Sequence, residues 1–322
     1  MALPSALGQE AVRLEVVVVD DGSTDGTSRN LRALASDNDN VRVVTHDRSY
    51  GVARARNSGV ANARGEWIAF HDDDDLWSPR KLRLQLDAAR VRDALFVYGG
   101  AAAVAEDGSW LYSLAPVDPD ALFGALLSRN VLWGGSSNVV VRADLLRRLG
   151  GFDEKLFQLC DWDLWIRLAS AARAAVCPEI VVGCVVHPRS MLLVSEDDVF
   201  EEFSYLARKH KALAEEHGVE LDRGVFTRWV ALGHRRAGRR ARSATTYLRG
   251  AVADRDPMNV ARALAALLGN PSDDSRSVVR WRSGAGRSVE AELEPEWIAS
   301  YRSSAARTSV QAMSSASSPN ES

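Results

Sequence analysis

Four consecutive carboxylates, Asp72 to Asp75 in the run HDDDDLW, are the residues of this sequence best suited to chemistry. Like charges at such spacing repel, and they need a cation or many hydrogen-bond donors to be tolerated. Oxygen-rich groups suit magnesium or manganese, held through one or two carboxylates plus substrate phosphates. A solvated acidic loop is the plainer reading of any such run. Here the run follows an apolar strand and precedes an aromatic residue and a helix start, which favours a site. A second acidic pair, Asp20 and Asp21 in VVVVDDGSTDGT, ends another strand. Ser23 or Thr24 as a helix cap, with Asp25 at the positive helix end, explains part of that string. It leaves the two preceding acids unexplained, and a nucleotide-contacting role falls to Asp21.

Between these sites, RARNSG carries Arg54, Arg56 and Asn57 on a helix. Arg56 fits a phosphate, given the forked geometry of guanidinium, and equally fits a solvated surface. In LCDWDLWIRL, Asp161 and Asp163 open an aromatic helix, and either could cap it. A carboxylate partly desolvated beside Trp162 and Trp165 also binds protons more tightly, which suits a general base. His187, in VVHPRS after a strand, is either structural or a ligand for metal or phosphate. The basic stretch 228–249 has arginines on more than one helix face. It reads as a solvated surface or as contact with anionic lipid headgroups.

The elements that position these groups alternate strand and helix. Leu14–Val19 reads as a strand, 24–35 as a helix, Val41–Thr45 as a strand, Gly51–Ala63 as a helix and Glu66–Phe70 as a short strand. Ser78 and Pro79 open the next helix. Such alternation predicts βαβ units on a mostly parallel twisted sheet with flanking helices, an α/β fold. Both acidic clusters then fall at carboxyl ends of strands, where such sheets bind ligands. Phe96–Ala105 and Ser137–Val141 read as strands, Asp161–Ser170 as a helix and Val176–Val186 as a buried strand or pair of strands interrupted by Gly183. Helices follow at 198–217, 223–241, 243–253 and 257–268. The expected organisation is a catalytic domain over 1–195, a helical region over 196–269 and a largely disordered tail over 270–322.

Composition narrows the function classes. The 322 residues have apolar and charged fractions of 46% and 26%, as in packed soluble domains. A net charge of −3 argues against a general nucleic-acid binder. Three irregularly spaced cysteines, Cys160, Cys177 and Cys184, make neither a disulfide framework nor a zinc site. No apolar run approaches the ~20 residues that span a bilayer. With no signal-peptide pattern at the start, the expectation is a cytoplasmic protein, peripheral to the inner face of the cell membrane through 228–249.

Together, VVVVDDGSTDGT, GVARARNSGVANARGEWIAFHDDDDLWSPRKL, SSNVVVRADLLRRLGGFDE and CDWDLWIRL resemble, in order, the motifs of a family-2 glycosyltransferase of the GT-A fold. The resemblance covers residues 2–190. It implies Asp21 at the nucleotide base with Ser23 in the same donor-binding motif, Asp72 and Asp73 near ribose and phosphate, Asp74 on a Mn2+ or Mg2+ ion, and Asp161 as catalytic base. The implied reaction moves a sugar with inversion from a UDP- or dTDP-linked donor to a glycan, lipid-linked or small-molecule acceptor. Where the family has Glu-Asp before the base-bearing helix, this sequence has Cys160-Asp161. Residues 2–10 resemble the end of the family's first helix, and the preceding strand and Pro-Thr-Tyr-Asn-like turn are not in the sequence. A non-catalytic donor-binding or scaffold relic of the same fold is therefore the alternative, and a marginally stable chain is expected. A sugar nucleotidyltransferase is the third reading, against which no glycine-rich activating loop is seen.

Overall fold

The computed structural model describes residues 2–186, 196–269 and 294–301. The chain begins with α1 (Ala2–Leu7), β1 (Val16–Asp20), α2 (Thr27–Asp37), β2 (Val41–Thr45), α3 (Val52–Asn62) and β3 (Trp67–Ala69). Next come β4 (Leu76–Trp77), α4 (Lys81–Arg92), β5 (Phe96–Ala105), β6 (Trp110–Leu114) and α5 (Leu122–Leu126). They lead to α6 (Gly135–Asn138), β7 (Val140–Arg142), α7 (Ala143–Arg148), α8 (Cys160–Ala171) and β8 (Ala174–Val186). The helical region holds α9 (Glu196–Lys209), α10 (Lys211–Glu216), α11 (Arg223–Arg236), α12 (Arg240–Ala253) and α13 (Met258–Leu268).

The valine run of β1 has the β-branched composition that suits a pleated surface. It pairs in parallel with β2, from Val16 opposite Val41 to Asp20 opposite Thr45. A second sheet runs β3-β7-β5-β8-β4, with β6 added on β5. Within it β5 and β8 are parallel, while the β3–β7, β4–β8, β5–β6 and β5–β7 pairs are antiparallel. The helix-flanked sheet is as expected, but its strand directions are mixed rather than mostly parallel. For β5 and β6 the reason is connection length: they are joined by a tight turn at 106–109, which only an antiparallel pair can close. Among the described residues, β1 and β3 each carry a ladder on one edge only.

The register of β5 against β8 shifts around Gly99 and Gly100. A Cβ at Gly99 would lie 2.6 Å from Val181 Cγ2, and one at Gly100 would lie 2.6 Å from Ile180 Cδ1. Only glycine lets β8 approach so closely, and the irregularity sits there rather than at Gly183. The Asn138 side chain braces the same point, accepting from Gly99 N at 2.8 Å and donating to Gly99 O at 2.7 Å.

The main core joins Phe96, Tyr98, Trp162, Trp165 and Leu168 to Val199, Phe203, Leu206, Phe226 and Val230 of the helical region. That region is thus part of the sheet domain's core. Three local expectations are corrected. Ser78 does not cap α4: it is buried, its carbonyl accepts from Lys81 N at 3.0 Å, and Arg80 holds the cap position without a side-chain bond. The strand expected at Ser137–Val141 divides into α6 and β7. Residues 294–301, expected in a disordered tail, contain a helical turn at 296–301. There Ile298 is buried against Ala102 and Val104, and Trp297 Nε1 donates to Ile180 O at 2.9 Å. Apolar surface left on the outer side of β5 explains this docking. Among the described residues, no helix is long and apolar enough to cross a membrane.

Candidate active site

The DDG turn after β1 is built to hold another loop. Gly22 has φ +79°, and a Cβ there would collide with the Arg48 backbone. Next to it, Asp21 accepts from His46 Nδ1 at 2.6 Å, Ser49 Oγ at 2.7 Å, Tyr50 N at 3.0 Å and Gly51 N at 2.9 Å. Burial works against the Asp21 charge, but these donors outweigh it and hold its pKa down to about 2. Asp20 accepts from Ser23 N at 2.9 Å and from the Ser28 hydroxyl. Neither Ser23 nor Thr24 caps α2, whose cap position is Gly26, and Ser23 is exposed beside the turn. Arg54 packs its guanidinium over the Tyr50 ring, 4.0 Å from the centroid.

The four acids after β3 divide by environment. Asp72 accepts from Arg56 Nη2 at 2.6 Å, and its N–H donates to Ser137 Oγ at 2.9 Å. Asp73 and Asp74 are exposed at the turn. Asp75 is buried, and burial, reinforced by the charge of Asp72, pushes its carboxyl well above the ordinary range. The repulsion that the run implies is thus relieved by one cation, two solvated carboxylates and one group inclined to stay protonated. His71 stacks on Trp77 at 4.3 Å between centroids, and burial lowers its pKa to about 4.

Arg56 is the hub. Besides Asp72, its Nη1 lies 3.6 Å from Cys160 Sγ, and its guanidinium stands over Phe152 at 5.3 Å. Burial disfavours the cation, but the nearby charges, Asp72 above all and also Asp161, outweigh it and keep it protonated. Asp161 sits in the first turn of α8, its Oδ1 accepting from Trp162 N at 2.6 Å. Burial pushes the Asp161 carboxyl up to about 6, although Arg56 pulls the other way. A carboxylate with that pKa takes a proton near neutral pH. Gly135, with φ +48°, brings the α6 turn against it, where a Cβ would lie 3.5 Å from Asp161 Oδ2.

Several groups that hold this site carry no signal in the sequence. Glu202 of α9 accepts from Phe157 N, Gln158 N and Leu159 N at 2.9–3.0 Å, holding the loop that leads into α8. Asn57 brackets the LGGFDE loop, accepting from Phe152 N at 2.8 Å and donating to Phe152 O at 3.0 Å. Asp163 is no cap: it is fully buried, bound to Arg167, Lys209 and His210. His187 lies outside the described residues. In the basic stretch, Arg228 pairs with Asp256 at 3.6 Å, and Arg242 and Arg249 are exposed.

Among the described residues, no three His, Cys, Asp or Glu side chains converge on a metal position. Magnesium or manganese needs only one or two carboxylates when phosphates complete its shell, and the exposed Asp73 and Asp74 fit that requirement.

Comparison with known proteins bears on this arrangement. Residues 2–149 match the family model Glycosyl transferase family 2. The succinoglycan biosynthesis protein ExoO of Rhizobium meliloti is 34% identical over 199 residues, 58% of this chain and 56% of that protein. The putative teichuronic acid biosynthesis glycosyltransferase TuaG of Bacillus subtilis is 36% identical over 105 residues, 33% of this chain and 42% of that one. The chain thus spans about half the length of these relatives. Staphylococcus aureus TarS 1–349, solved with UDP-GlcNAc, superposes with a TM-score of 0.52 at 20% identity, covering 91% of this chain and 93% of that one. That likeness is one of fold.

Proposed function

We propose that this chain, a member of glycosyl transferase family 2 with a GT-A fold, moves a glycosyl group with inversion from a UDP- or dTDP-linked sugar to a hydroxyl of a growing glycan. The observation that carries it is the half-buried Asp161, poised near pKa 6 beside the cation of Arg56. In this reading Asp161 takes the proton of the acceptor hydroxyl as its oxygen attacks the anomeric carbon. The bond from that carbon to the donor phosphate breaks on the opposite face, and the nucleoside diphosphate leaves. Arg56 stabilises the diphosphate side of the site and keeps Asp161 ionised at neutral pH. Asp21 orders the 46–51 loop against which the nucleotide base would rest, and Ser23 and Asp72 line the donor side. Asp74, with Asp73 beside it, would hold Mn2+ or Mg2+ against the donor phosphates. When bound, that ion supplies Lewis-acid stabilisation of the leaving diphosphate, so that no protein acid is required there.

The glycan acceptor is supported by the relatives' names, which concern succinoglycan and teichuronic acid. We read the protein as working on the cytoplasmic side, against the inner face of the cell membrane. The test is a transfer assay with UDP- and dTDP-sugars and an oligosaccharide acceptor, scoring product anomer by NMR. Inverted product made only with native Asp161 is expected, and retained configuration would overturn the mechanism.

A further inference from the structure

We propose that the outer face of the α12–α13 hairpin docks on an anionic phospholipid bilayer. This deepens the membrane contact read above and moves it from 228–249 to 241–268. The first observation is an inverted helix. α13 buries the small or polar residues Asn259, Ala263 and Ala266. It turns Val260, Leu264, Leu267 and Leu268 outward, Leu268 being 84% exposed. A helix designed only to cover a core does the reverse, because large apolar groups gain most from leaving water. On α12, Leu248 and Val252 are four residues apart and share one exposed stripe, Val252 being 82% exposed. Together with Met258, these exposed side chains belong to one hairpin, whose inner face packs Ala244, Tyr247, Ala263 and Ala266 against Ala231 of α11.

The second observation is charge. Residues 223–268 contain ten arginines, two aspartates and no glutamate or lysine. Both acids are neutralised: Asp254 pairs with Arg223 at 3.0 Å, and Asp256 with Arg262 at 2.6 Å and Arg228 at 3.6 Å. Arg242 and Arg249, seven residues apart, form an exposed stripe beside that of Leu248 and Val252. An apolar face bordered by cations matches a partner with a hydrocarbon interior and a negative surface. A second copy of the chain fits less well, since two-fold pairing would set arginine-rich surfaces against each other.

The test uses the full chain and flotation with vesicles of phosphatidylglycerol and phosphatidylcholine, against vesicles of phosphatidylcholine alone. Native protein should float with the anionic vesicles and at least tenfold less with the neutral ones. Leu264→Glu with Leu268→Glu, and separately Arg242→Glu with Arg249→Glu, should each weaken anionic-vesicle binding at least tenfold. Circular dichroism should be native for both, since all four side chains are exposed. Failure of the native protein to float, or native floating by both double variants, would overturn the proposal. So would light scattering showing a dimer lost in Leu264→Glu with Leu268→Glu while vesicles are ignored. No donor or acceptor is present in the assay, so its outcome is independent of the sugar-transfer reading.

Discussion

His210 Nε2 lies 2.8 Å from Oδ1 of the fully buried Asp163, although 47 residues separate the two in sequence. Asp163 also accepts from Arg167 Nε at 2.8 Å and pairs with Lys209 Nζ at 2.7 Å. This cluster fastens the junction of α9 and α10 to α8, two residues beyond Asp161. With Glu202 holding the loop 157–159 that enters the same helix, the helical region fixes where the proposed base points.

Breaking that cluster should unfold the chain more easily. Burial opposes the Asp163 charge, but His210, Arg167 and Lys209 outweigh it and hold the pKa down to about 2 from a reference of 3.8. The stabilisation is therefore present above pH 3.8 and lost as pH falls through about 2, and it is worth roughly 2 kcal/mol. Asp163→Ala leaves three donors facing a buried void and should cost about 3–5 kcal/mol at pH 7. Urea unfolding at pH 7 and pH 3 checks both statements, and the variant's deficit should shrink at the lower pH.

Asp161→Asn should lower turnover by ~10²–10⁴-fold, the usual contribution of general acid–base catalysis, while leaving donor affinity within about twofold. In the native protein, kcat/KM should fall on the acid side below about pH 6, as Asp161 takes a proton. Steady-state rates across pH 5–8 decide it. A native rate for the variant would move the base elsewhere.

Arg56→Gln should move that acid limb to higher pH, because the cation that favours ionised Asp161 is gone. Arg56→Lys should restore the limb in part but not donor affinity, since lysine cannot offer two parallel N–H donors to Asp72 and a phosphate together. A pH profile identical to native in Arg56→Gln would separate Arg56 from Asp161.

Asp74→Asn should abolish the dependence of nucleoside diphosphate affinity on manganese, as followed by calorimetric titration. Asp75→Asn should behave nearly as native, within about 1 kcal/mol in stability, because burial already favours the uncharged form of that side chain. Equal metal dependence in native and Asp74→Asn proteins would remove Asp74 from the metal.

Local pattern sufficed for several elements. Val41–Thr45 and Phe96–Ala105 form strands with the bounds their apolar runs predict. The helices near 223, 243 and 257 also follow from local periodicity. The acids at Asp21, Asp72 and Asp161 stand at strand ends or in a first helical turn because such patterns are local. Tertiary structure alone decided the rest. It decided that Ser78 is buried instead of capping, and that Glu202 holds the loop entering α8. It decided that Asp21 spends its oxygens on the 46–51 loop, and that Asp72, Asp161 and Cys160 meet at Arg56. It also turned leucines of α13 outward. Capping, pairing and proton affinity depend on which groups share a volume from which water is excluded. Those groups come together from positions up to about a hundred residues apart, Arg56 and Cys160 being separated by 104. No window of sequence contains both partners, so only the fold could choose them.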